Sequence, residues 1–259
     1  MKRILGILAV VALVAMTVKA VEVKSENVAG VVTKSVAVGQ LALIGVSIDD
    51  FAGEPTLESL FDEAVAAANY LVADQVLVFD AGAAQYNRWA KYDGDGLWYR
   101  CNDNAEWNAG TVQTNLTLPV GSAVWFRCNP SQAQDLVLTG QAVESSSVSM
   151  GLIQGLQMIA YPFSSQINLD DSDFAGDGAT QNANYLSADQ VIFWNGSAYQ
   201  RYALYTDGKW YGANDNDEWN AGTVLGSDKD IALGEGFWYR AQNVAGLTWT
   251  EDNPYLANL

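Results

Sequence analysis

Apolar and polar positions alternate with a period of two through most of the chain, and clusters of Gly, Asn and Asp interrupt them, the pattern of short antiparallel strands joined by tight turns. In the C-terminal part, QVIFW from Gln190, the turn Asn195-Gly196, SAYQRYALY, the turn Asp207-Gly208 and KWYG predict a meander. The N-terminal part has the turns Asp80-Ala81-Gly82 and Asp93-Gly94-Asp95-Gly96 in the same places. Bulky aromatics at alternate positions of YNRWAKY and YQRYALY suit a strand partly covered on both faces. One helix is expected, from Thr56 to Asn69, where TLESLFDEAVAAAN has a capping residue, early acids and apolar residues at Leu57, Leu60, Phe61, Ala64 and Val65. Its counterpart NLDDSDFAGDGATQNAN is too rich in Gly and Asp to be helical.

The chain repeats itself. NDNAEWNAGTV from Asn102 returns as NDNDEWNAGTV from Asn214, differing only at Ala105 against Asp217. NYLVADQV from Asn69 answers NYLSADQV from Asn184, and VWFR from Val124 answers FWYR from Phe237. The offset is about 112 to 115 residues, far above the 20 to 50 of solenoid repeats, so a domain-sized unit is duplicated. The expected fold is mainly β: two tandem homologous antiparallel β-sandwich or small-barrel domains, residues 21–140 and 141–259, each of about seven or eight strands. Val21 onward (VEVKSENV), Leu136 onward (LVLTGQAV) and Leu247 onward (LTWTEDNP) read as three versions of one strand. If the middle one closes the first domain, the strand at Val21 is spare and available to a neighbour; the alternative is that both ends simply pack on their own domain.

Residues 1–20 carry Lys2 and Arg3, an apolar run, and small residues at Val18 and Ala20, the pattern of a cleaved secretory signal peptide. No later segment is long and apolar enough to span a bilayer. Losing Lys2, Arg3 and Lys19 takes the formal net charge from -17 to about -20, which makes nucleic acid and anionic lipid poor partners.

Cys101 and Cys128 both lie in the first copy, each after an aromatic-Arg strand end, and Ala213 and Ala241 replace them in the second. Joint gain or loss in an exported chain predicts a disulfide clamping two adjacent strands, with free buried thiols as the alternative.

The chain has no histidine, which removes Ser-His and Cys-His nucleophile pairs and histidine zinc sites. A carboxylate pair, as in glycoside hydrolysis, remains formally open, but most acids sit in turns where they are hydrated. A non-enzymatic role is therefore expected.

Two binding sites suggest themselves. Asp103 with Asp93 and Asp95, and Asp215, Asp217 and Glu218 in the second copy, offer hard oxygen ligands on glycine-rich loops and suit calcium. Equally, these side chains could bond their own loop backbone while Trp107 and Trp219 plug the sheet end. Trp98, Trp107, Trp210 and Trp219 could form a flat platform for a glycan, or belong to a core that both copies share. Asn115-Leu116-Thr117 and Asn195-Gly196-Ser197 are weak sequons.

MIAYPF (Met158 to Phe163), ADQVIFWN (Ala188 to Asn195), YQRY (Tyr199 to Tyr202) and GEGFWYR (Gly234 to Arg240) together resemble the β-rich tandem repeats of uncharacterised secreted and cell-surface bacterial proteins. The resemblance implies a β fold and a surface location, and brings no catalytic residue. The functional expectation is a self-associating extracellular structural subunit of a surface layer, sheath or filament. The alternative is a glycan-binding module.

Overall fold

The computed structural model describes residues 29–101, 107–112, 116–213 and 226–256. The chain is mainly β. Its first half contains β1 (Ala29–Val36), β2 (Leu41–Gly45), β3 (Gln75–Asp80), β4 (Gln85–Lys91), β5 (Trp98–Cys101), β6 (Trp107–Val112), β7 (Ala123–Arg127) and β8 (Gln134–Gln141). The second half contains β9 (Ser147–Leu152), β10 (Gly155–Ala160), β11 (Ile167–Asn168), β12 (Gln190–Trp194), β13 (Tyr199–Leu204), β14 (Trp210–Ala213), β15 (Asp230–Ile231), β16 (Gly236–Ala241) and β17 (Leu247–Asp252).

Both halves use one plan. The large sheets run β2-β7-β3-β4-β5-β6 and β10-β16-β12-β13-β14, and a separate two-stranded ribbon, β1-β8 or β9-β17, accompanies each. All strand pairs are antiparallel. In the first half the ribbon residues Val32, Val36, Leu136 and Leu138 pack with Ile44, Val76, Trp89, Trp98, Val124 and Phe126 of the sheet. In the second, Leu152, Leu247 and Trp249 cover Val191, Phe193, Trp210, Phe237 and Tyr239. Ribbon and sheet are thus the two layers of a sandwich, held by apolar burial.

The strand at Leu136 closes the first half by pairing with β1, as its counterpart at Leu247 pairs with β9. The segment VEVKSENV and residues 1–20 lie outside the described residues.

The expected helix is cut to one turn, α1 (Leu57–Leu60), capped by Thr56 in a capping box with Ser59. Phe61 leaves helical geometry and is buried against Phe126, with ring centroids 5.7 Å apart. Beyond it, tertiary partners take the backbone: the Val65 N–H donates to the Asp74 carboxylate and the Ala67 N–H to the Lys91 carbonyl. Those bonds replace the i to i-4 ladder, so tertiary packing overrides local propensity. The Gly/Asp-rich counterpart forms a single 3-10 turn, Leu169–Asp171.

Candidate functional site

The two large sheets meet through the faces turned away from their own ribbons. Leu43, Ala123 and Trp125 of the first half pack against Met158, Ala160 and Trp238 of the second, with Leu77, Phe79, Ile192 and Trp194 at the margins. The contact is reciprocal. The Gly45 N–H donates to the Gly234 carbonyl at 2.9 Å, and the Ala160 N–H donates to the Gly121 carbonyl at 2.7 Å. Sequence matching of the halves makes Gly45 the equivalent of Ala160 and Gly121 that of Gly234, so each bond is the other's image about a local two-fold axis. The bridges Ile44 to Glu235 and Ser122 to Ile159 obey the same relation.

Glycine allows this approach. A Cβ on Gly45 would stand 2.5 Å from the Ala160 Cβ, and one on Gly236 2.7 Å from the Ala123 Cβ.

Six aromatic rings line one end of the seam, in three equivalent pairs: Phe79 and Trp194, Tyr86 and Tyr199, Trp125 and Trp238. Phe79 meets Trp238 edge-on at 4.9 Å, and its image Trp194 meets Trp125 edge-on at 5.9 Å. Each hairpin tip thus rests on the tryptophan of the opposite half. The Trp125 Nε1–H donates to the Tyr86 hydroxyl at 3.2 Å. Burial raises the Tyr86 phenol above its usual range, and the nearby Tyr199 adds to the shift. Tyr86 and Tyr199 remain 45% and 54% exposed, so this seam presents two phenols and the edge of Trp194 to solvent.

The residues expected to bind ligands fall elsewhere. Trp98 and Trp210 are 0% and 1% exposed and belong to the two sandwich cores. No sugar ring reaches them, which corrects their place in a glycan platform and leaves the shared-core alternative. Trp107 lies on β6, its side chain outside the described set, and Trp219 also lies outside the described residues.

Among the calcium candidates, Asp103, Asp215, Asp217 and Glu218 lie outside the described residues. Asp95 bonds its own turn: its carboxylate accepts from the Leu97 N–H at 3.0 Å and the Tyr99 hydroxyl at 2.6 Å. Asp207 repeats this with Lys209 and Tyr211. Tyr99 thereby holds the Asp95 carboxyl below the usual range. Asp93 opens the same turn, and its N–H donates to the Ala67 carbonyl. No group of three or more Asp, Glu or Cys among the described residues is arranged to hold a metal.

The expected disulfide is absent: Cys101 and Cys128 are free and buried. Cys101 ends β5 and Cys128 follows β7, and β3 and β4 lie between these strands. Three inter-strand steps of about 4.8 Å give roughly 14 Å, against about 7 Å at most between the Cα atoms of a disulfide.

Two buried carboxylates went unnoticed in the sequence. Asp74 and Asp189 are fully buried at equivalent positions. Asp74 accepts from the N–H groups of Val65 and Asn129 and from the Asn129 amide. Asp189 accepts from the N–H groups of Thr180 and Gln242 and from the Tyr239 hydroxyl. Next to them, the side-chain amides of Gln75 and Gln190 both donate at 2.7 Å to the carbonyls of Tyr70 and Tyr185. The signal was the repeated phrase NYLxADQV, whose Asp-Gln pair ties the preceding loop to the end of a neighbouring strand in each half.

A crevice of about 420 Å³ beside the first ribbon is lined by Asp49, Asp50, Glu54 and Glu144 with Phe51 and Gln141. Burial, then Glu54, raises the Asp49 carboxyl above its usual range. Comparison with protein-family models, curated proteins and solved structures finds no match.

Proposed function

We propose that the protein is a secreted, non-enzymatic structural subunit of the cell surface, belonging to a surface layer, sheath or filament and associating through open strand edges. The supporting observation is the ribbon β1-β8, two eight-residue strands that, among the described residues, belong to no larger sheet. Its outer face carries the exposed apolar residues Val31 and Val137. An unpaired edge of this length is a template for another chain. Sedimentation and negative-stain microscopy over a concentration series, with and without calcium, test the reading. Reversible growth of larger species is expected, and a monomer at every concentration overturns it.

A second reading, glycan binding, draws support from the aromatic seam rather than from the buried tryptophans. Tyr86, Tyr199 and Trp194 offer half-exposed rings beside phenolic hydroxyls, the chemistry that sugars stack on and bond to. Quenching of tryptophan fluorescence by an oligosaccharide panel, abolished in Tyr199→Ala, is the outcome that favours it.

A further inference from the structure

The ribbons of the two halves differ at their edges. The Gln141 N–H and carbonyl exchange hydrogen bonds with Asp49, outside the ribbon, and Gln141 pairs with Ala29. In an antiparallel pair the inward and outward residues alternate. Ala29, Val31, Thr33 and Ser35 therefore aim their backbone N–H and carbonyl groups away from β8. Among the described residues, β1 pairs with β8 alone, and Val31 is 54% exposed.

The corresponding edge of the second half is blunted. Strand β9 spans only Ser147–Leu152 and contains Gly151. The next residue, Ile153, has its N–H bonded at 3.1 Å by the Gln157 side-chain oxygen and its carbonyl at 2.7 Å by the Gln157 side-chain amide. In the first half Ala42 stands where Gln157 does and supplies no such clamp. Capping one edge at its end while leaving its image uncapped favours strand addition at the uncapped one.

Resting on the assembly reading, we propose that the β1 edge is a self-association site, whose partner is the β1 edge of a second copy in antiparallel pairing about a two-fold axis. Charge argues for this partner. The chain has a formal net charge of -17, yet β1, AGVVTKSV, contains no acid and a single Lys34. It is a stretch that two acidic molecules can bring together without opposing carboxylates. The outer edge of β8, by contrast, carries Asp135 and is closed at Gln141 by Asp49. Parity restricts the register. Pairings centred on Val32 or Thr33 match outward residues with outward residues and place Lys34 opposite an uncharged one. Either forms roughly six to eight backbone hydrogen bonds; this contact closes as a dimer, from which a layer or filament grows through other contacts.

The test is sedimentation velocity on the secreted chain and three variants, each checked for folding by circular dichroism. Thr33→Pro removes an outward N–H and spares the bonds to β8, and is expected to weaken dimerisation by about tenfold or more, because the symmetric contact loses the bond twice. Val31→Lys leaves the backbone intact, places the new ammonium groups of the two copies on one exposed face of the pair, and is expected to weaken it in the same direction. Thr139→Pro, on the outer edge of β8, is expected to leave it unchanged. A chain that assembles with undiminished affinity in both Thr33→Pro and Val31→Lys overturns the β1 site while sparing the assembly reading. A wild-type chain that stays monomeric overturns both. If Thr33→Pro fails to fold, Val31→Lys decides.

Discussion

The Tyr239 hydroxyl donates to the buried Asp189 carboxylate at 2.6 Å, a bond with no counterpart in the other half, where Phe126 occupies the equivalent position. There, Asp74 takes its third bond from the Asn129 side chain, at 2.8 Å. The same carboxylate is satisfied by two different donors, as the burial of a charge requires. Tyr239→Phe is therefore expected to destabilise the protein by about 1–3 kcal/mol. Asp189→Ala, which strands three donors, is expected to lose more. Urea unfolding followed by tryptophan fluorescence measures both, and Tyr239→Phe stability equal to wild type would refute the role of this bond.

Glu251 gives the stability a pH dependence of unusual sign. The residue is buried, and its carboxylate accepts from the Asp173 N–H at 2.9 Å and the Trp249 indole at 2.7 Å. Burial nevertheless dominates, and raises its pKa from 4.5 to about 7. Because the folded state holds the proton more tightly than the unfolded chain, this contribution is full below pH 4.5 and is lost as pH rises through about 7. Glu251→Gln should flatten that slope and stabilise the protein at pH 8 by about 1–3 kcal/mol. Unfolding free energies at pH 5 and pH 8, for both proteins, provide the check.

Both thiols should be silent in the native protein. Burial pushes the Cys101 thiol up to about 12 and also raises that of Cys128. Thiol reagents are expected to find two free cysteines after denaturation and almost none before it. A reducing agent should leave the melting temperature unchanged. A single-chain mobility shift between reducing and non-reducing gels would contradict this.

The seam tolerates little added volume. Gly45→Ala inserts a methyl against Ala160 where the sheets approach most closely, and is expected to cost about 1–3 kcal/mol. Gly39→Ala meets no neighbour within 4 Å, but its backbone φ of 67° is one that alanine disfavours, so its smaller loss should come from strain alone. Thermal melts of the two variants separate crowding from strain.

Much of the fold was legible because turn chemistry is local. Asn195-Gly196 and Asp207-Gly208 fall at hairpin bends, with Gly196 and Gly208 at φ of 98° and 79°. The β-rich class and the shared strand plan follow from such signals. What was illegible depends on strand order. Cys101 and Cys128 end strands that look adjacent in the sequence, yet β7 inserts between β2 and β3, leaving β3 and β4 between the two thiols. The segment from Phe61 to Asn69 reads as helix until Asp74 and Lys91, distant in the chain, claim its backbone. The exposed aromatics were hidden because alternation alone does not say which face meets solvent. Trp98 and Trp210 took the inner face, and Tyr86 and Tyr199 the outer.

The reciprocal seam is closed by two halves of one chain, joined by the few residues between Gln141 and Ser147. So short a tether keeps each face at an effective concentration on the order of millimolar before the other. A contact too weak to hold separate molecules together is then permanently occupied. Its two sides are free to diverge, Phe79 against Trp194 and Leu43 against Met158, because neither has to recognise a copy of itself.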